Sequence, residues 1–191
     1  MGQDTLPPIS SMAVYGEEIL AGGTRGVYRW NTGSNAWDPL GTGLPTRNTV
    51  LDMVVADSTV YAALSLSGVY SLRLGSQTWR RLVSGPVPSL ALIGDWLFAS
   101  RYTMGILRIR VGDTIWDTVN AGIPPGKSVE KLLVVDSAVF ATGRFTGVCR
   151  NTGGSSWQPV NEGLVSDSTL PTLAAGSRYL FVVTSDNSTN R

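Results

Sequence analysis

Residues 150–164 read RNTGGSSWQPVNEGL, and residues 30–44 read WNTGSNAWDPLGTGL. The two phrases lie 120 residues apart and share Asn-Thr-Gly, a tryptophan, a proline and Gly-Leu in the same order. Repetition at a fixed period decides the architecture before any local reading does. Trp37, Trp79, Trp116 and Trp157 follow one another at intervals of 42, 37 and 41 residues. The glycine that opens GVYR, GVYS, GILR and GVCR falls at Gly26, Gly68, Gly105 and Gly147, at intervals of 42, 37 and 42. From glycine to tryptophan the distance is 11, 11, 11 and 10 residues, so two independent markers keep one register.

Further markers fill in the unit. An apolar run precedes each glycine: EILAGG (18–23), TVYAAL (59–64), WLFASR (96–101), AVFATG (138–143) and, a fifth time, YLFVVT (179–184). A second apolar run precedes each of these, with turn pairs such as Gly-Glu and Asp-Ser, which tolerate positive φ, between the two runs. In the first unit the runs predict strands at about 10–15, 19–22, 26–31 and 36–40. Four short antiparallel strands per 37–42 residues, repeated, predict an all-β fold: a β-propeller of four-stranded blades. The blades fall at about 8–45, 49–88, 89–125 and 128–165, with a two-stranded half blade at 169–185. Together they make a single propeller domain, or part of one. The recurring tryptophan is expected to close the hairpin of the third and fourth strands and to wedge against the next blade.

Composition narrows the function classes. Charged residues are 15% and hydrophobic residues 42% of 191, with a net charge of +1, which suits a packed core and no nucleic-acid surface. There is no histidine, so a Ser-His-Asp triad, a Cys-His pair and a His-based zinc site cannot be assembled from this chain. The one cysteine, Cys149, reads as a small buried hydrophobe. No run approaches 18 apolar residues, and no cofactor or metal is expected.

WNTGSNAW and RNTGGSSW resemble degenerate Asp-boxes, the Ser-x-Asp-x-Gly-x-Thr-Trp hairpin of the BNR repeat. The longer GVCRNTGGSSWQPVNEGL is similar to blades of bacterial sortilin-like, photosystem-assembly-factor-like and xyloglucanase-like propellers. The likeness covers about residues 8–184. The Asp position of the box is filled by Thr32, Leu74, Val111 and Thr152, so the family's turn-tying carboxylate is missing. The resemblance implies a non-catalytic binding or scaffold propeller, part of a larger exported protein, extracellular or periplasmic. The alternative it implies is a fragment of a xyloglucanase-like glycoside hydrolase, which needs two opposed carboxylates; Asp52 and Glu130 are the candidates. The arginine motif of the sialidases is absent.

In such propellers the resemblance implies a binding face built from the loops between second and third strands and between blades. The first set reads GGTR, LSLS, SRYTM and GRFT, and supplies Arg25, Arg101, Tyr102, Arg144 and Phe145. Arginine forks suit carboxylates and aromatic faces suit sugar rings, so these residues read either as a pocket for an anionic glycan or an acidic peptide or as solvated loop residues and channel fillers. The strand count leaves the half blade two strands short, which predicts completion by the rest of a longer chain or by a second copy.

Overall fold

The computed structural model describes residues 7–144, 146–164, 172–176 and 180–183. Every regular element among them is a strand. Blade 1 contains β1 (Ile9–Tyr15), β2 (Glu18–Gly23), β3 (Gly26–Asn31) and β4 (Ala36–Pro39). Blade 2 contains β5 (Val50–Ala56), β6 (Thr59–Leu64), β7 (Gly68–Arg73) and β8 (Arg80–Val83). Blade 3 contains β9 (Leu90–Ile93), β10 (Trp96–Ser100), β11 (Ile106–Arg110) and β12 (Asp117–Thr118). Blade 4 contains β13 (Lys131–Val135), β14 (Ala138–Gly143), β15 (Gly147–Asn151) and β16 (Gln158–Pro159). β17 (Thr172–Ala175) and β18 (Leu180–Val183) form a two-stranded sheet. In each of the four complete sheets the strands pair antiparallel in sequence order. The protein is therefore an all-β chain of propeller blades, four complete and one half.

The first hairpin of each blade turns where the sequence permits positive φ. Gly16, Asp57, Gly94 and Asp136 all sit there, with φ between 43° and 58°. Side chains alternate across each strand, so a blade has two faces and each needs cover. The chain divides into two compact units, residues 1–88 and 89–191. In the first unit the core lies between blades 1 and 2, where Leu20, Val27 and Leu40 pack against Met53, Val60, Leu72 and Trp79. In the second it lies between blades 3 and 4, where Phe98, Ile106 and Val119 pack against Leu132, Val139, Cys149 and Trp157. Phe98 meets Trp157 edge to face at 6.2 Å between centroids.

The tryptophans reach in the opposite direction from the one expected. The Trp79 indole N–H donates back to the Leu40 carbonyl of blade 1 at 2.7 Å, and that of Trp157 to the Val119 carbonyl of blade 3 at 2.8 Å. The physical reason is the linker that follows the fourth strands of blades 1 and 3. It runs parallel to the next blade's hairpin, pairing Thr42 with Thr78 and Ala121 with Ser156. Gly41, Gly43 and Gly122 in these linkers have positive φ. A Cβ on Gly122 would lie 1.9 Å from the Trp157 carbonyl oxygen. The GTGL and NAGI phrases are thus the seats into which the next tryptophan hairpin fits. Trp37 is half-buried, edge-on to Trp30 at 5.3 Å. The Trp116 Nε1 is buried with no partner among the described residues.

The third-to-fourth strand turns of blades 1 and 4 are tied by asparagine. Asn31 Oδ1 accepts from the Gly33 and Ser34 amides at 3.0 and 3.2 Å, and its Nδ2 donates to Asp38 at 2.7 Å. Asn151 Oδ1 accepts from the Gly153 amide at 2.7 Å, while its Nδ2 donates to the Gly154 and Ser156 carbonyls. These residues stand immediately before Thr32 and Thr152. An amide offers both acceptor and donor, so one side chain closes the turn without a buried charge.

Candidate functional site

The loop between β2 and β3 and the loop between blades 1 and 2 together enclose a pocket of about 190 Å³. Its walls are Thr24, Arg25 and Gly26 from the first loop and Leu44 to Asn48 from the second, over Val50 and Leu64. The floor is apolar and buried, since Val50 and Leu64 belong to the core between the two blades. No carboxylate lines the pocket. Arg25 and Arg47 are exposed and have no ion pair or hydrogen bond among the described residues. Arg47 is held with φ at +61°, a backbone state that non-glycine residues seldom adopt and that clusters at ligand clamps. Asn48 fixes this corner, its Oδ1 accepting from the Leu66 amide at 3.0 Å.

Arg25 is one of the residues expected from the sequence; Arg47 and Asn48 are not. The signal was present in the second class of loop, the one between blades, where residues 45–49 read PTRNT.

The remaining expected residues lie in the second unit. Tyr102 is 39% exposed and has φ at +35°. Its carbonyl accepts from the Val129 amide at 2.9 Å. Arg101 is partly buried, and its Nε has no partner among the described residues. Arg144 is exposed, next to Gly143, whose backbone packs on Ser128. The Thr146 hydroxyl donates to the Ser128 carbonyl. Tyr102 on one side and Gly143 and Thr146 on the other are thus all tied to segment 128–130. Phe145 lies outside the described residues.

The two carboxylates considered for hydrolysis stand in different units and serve local structure. Asp52 Oδ1 accepts from the Met53 amide at 3.0 Å, and Glu130 Oε1 accepts the Ser128 hydroxyl at 2.9 Å. Among the described residues no group of three His, Cys, Asp or Glu side chains could hold a metal ion, and no helix is long and apolar enough to cross a membrane. Burial raises the Cys149 thiol above its ordinary value and also raises the Tyr61 hydroxyl, with Asp57 adding to the latter.

No family model matches the chain, and no curated protein matches it. Solved structures match in fold. The chain is similar to the computationally designed Ika8 protein at a TM-score of 0.69 and 16% identity, over 92% of this chain and 55% of that one. It is similar to the computationally designed Ika4 protein at 0.62 and 16%, over 81% of this chain and 100% of that one. It is also similar to the extracellular domain of the hybrid two-component system BT3049 from B. thetaiotaomicron, at 0.66 and 11%, over 95% of this chain and 29% of that one. The chain spans about half the length of Ika8 and less than a third of the BT3049 domain.

Proposed function

We propose that this chain is a non-catalytic binding or scaffold domain, a propeller or part of one, that takes an acidic ligand at the loop end of blade 1. The observation that carries the reading is the pair Arg25 and Arg47. Two arginines from separate loops line one small pocket that has an apolar floor and no carboxylate. A fork of donors over an apolar floor suits a carboxylate attached to a sugar ring or a short side chain. At about 190 Å³ the pocket admits one such group rather than a drug-sized molecule. An acidic glycan or an acidic peptide is the ligand class. Arg101, Tyr102 and Arg144 are the second set of candidates, on the blade 3 and blade 4 loops. The likeness to an extracellular domain supports placement outside the cytoplasm, as part of a larger exported protein.

The test is calorimetric titration with a glucuronate-containing oligosaccharide and with an oligoglutamate peptide. Arg25→Ala or Arg47→Ala is expected to weaken binding by about ten- to a hundredfold, the worth of one charge-assisted contact. Binding should also weaken with added salt. Unchanged affinity in the double variant, or no binding of either ligand to the wild type, overturns the reading.

A further inference from the structure

We propose that the pocket at the loop end of blade 1 selects a carboxylate carried on a short branched alkyl group over a carboxylate carried on a sugar ring. This rests on the reading that Arg25 and Arg47 hold the acid, and it adds what the rest of the ligand is. The repeat shows why there is space here. Every blade opens its third strand with a glycine, and in blades 2, 3 and 4 the space beside that glycine is taken. A Cβ on Gly68 would collide with the Val83 carbonyl, one on Gly105 with the Asn120 side chain and one on Gly147 with the Asn161 side chain. Those two asparagines are held there, accepting from the Ile106 and Val148 amides at 2.7 Å each. At Gly26 the nearest atom to such a Cβ is Leu44 Cδ1, at 3.9 Å. In the repeat Gly41 stands where Asn120 and Asn161 stand, and it brings no side chain. Blade 1 therefore keeps open a slot that the other blades fill with their own polar groups.

The chemistry of the lining decides what enters it. Leu44, Val50 and Leu64 present side chains that make no hydrogen bonds, and the last two are each 1% exposed. A hydroxyl set against them loses its water and gains no partner, whereas a methyl or methylene group gains by burial. A sugar carboxylate brings hydroxyls that donate as well as accept. The lining side chains are rich in donors and poor in acceptors: Arg25 and Arg47 only donate, and Asn48 Oδ1 already accepts from the Leu66 amide. The hydroxyls of Thr24 and Thr46 remain, both on exposed residues. No aromatic ring lines the pocket for a sugar face to stack on. A carboxylate only accepts, so it matches the two arginines, and an alkyl branch beside it matches the slot. Two sources carry this chemistry: a free short-chain acid, and the last residue of a peptide that ends in an aliphatic side chain.

The test is NMR titration of the labelled full chain with isocaproate, isocaproamide, acetate and glucuronate, followed at the amides of residues 24–26 and 44–48. Isocaproate is expected to bind about ten- to a hundredfold more tightly than acetate or glucuronate, from the alkyl group buried. Isocaproamide, which keeps the alkyl group and loses the charge, should bind about ten- to a hundredfold more weakly than isocaproate. N-acetylleucine separates the two sources: tighter binding than isocaproate assigns the peptide end, and weaker binding assigns the free acid. Leu44→Phe, which fills the slot with a larger apolar side chain, should erase the preference for isocaproate over acetate. The ligand series on the wild type stands whether or not that variant folds. Glucuronate binding as tightly as isocaproate at these amides overturns the proposal and leaves the acidic-ligand reading in place. No response to any carboxylate overturns both.

Discussion

The indole N–H of Trp79 donates to the carbonyl oxygen of Leu40 across the seam between blades 1 and 2, at 2.7 Å and 39 residues' separation. Trp157 repeats the bond to Val119 between blades 3 and 4 at 2.8 Å. Each tryptophan both fills the seam and satisfies a buried carbonyl. Trp79→Phe is expected to cost about 1–3 kcal/mol through the unsatisfied carbonyl, and Trp79→Ala about 3–5 kcal/mol once the cavity is added. Denaturant unfolding measures both. Equal stability of the phenylalanine variant and the wild type would remove the hydrogen bond from the account.

Gly122 and Gly75 separate close approach from backbone strain. Both have positive φ, at 88° and 92°. A Cβ at Gly75 meets nothing within 4 Å, whereas one at Gly122 meets the Trp157 carbonyl. Gly75→Ala should therefore cost only about 1 kcal/mol of conformational strain. Gly122→Ala must also push the linker off the hairpin, and its unfolding midpoint should fall well below that of Gly75→Ala. Similar midpoints would show that the linker does not hold the seam.

Asn151 is 1% exposed and makes three hydrogen bonds within its turn. Asn151→Ala should cost about 1–3 kcal/mol by leaving the turn's polar groups unpaired. Asn151→Asp keeps the acceptor for Gly153 but loses both donors and buries a charge, so its stability should fall further as pH rises through the carboxyl range. A pH-independent difference between these two variants would contradict the assignment.

Alkaline stability follows from Cys149 and Tyr61. Both groups are neutral when protonated, and burial raises both above their ordinary values of 9.0 and 10.0. The folded state holds these protons more tightly, so the unfolded state binds fewer protons above those values. Their contribution is complete below pH 9 and is lost as pH rises through the raised folded values. Stability measured from pH 8 upward should decline, and Cys149→Ala with Tyr61→Phe should flatten the decline. The same burial keeps Cys149 from reacting with a thiol reagent until the chain unfolds.

Much of this fold was legible in the sequence, because each blade needs the same few residues in the same places. Gly16, Asp57, Gly94 and Asp136 marked the hairpins, and the Gly26-type glycines marked the third strands. The direction of the tryptophan was not legible. Periodicity places Trp79 in a seam but does not say which neighbour supplies the carbonyl. The turn-tying Asn31 and Asn151 were passed over because the Asp-box register points one residue later, to Thr32 and Thr152. The fourth strands of blades 3 and 4 shrink to two residues, Asp117–Thr118 and Gln158–Pro159, which the even repeat did not announce. At the site, Arg25 was legible from its loop, while Arg47 became visible only when the second loop folded beside it.

The acidic-ligand reading is tested most directly by following the backbone amides of the labelled chain by NMR during titration with a glucuronate oligosaccharide. The account predicts saturable shifts centred on Thr24–Gly26 and Thr46–Asn48, lost in the Arg25→Ala, Arg47→Ala variant while its other resonances stay in place. Saturable shifts confined to other loops, or no shifts in the wild type, would contradict it.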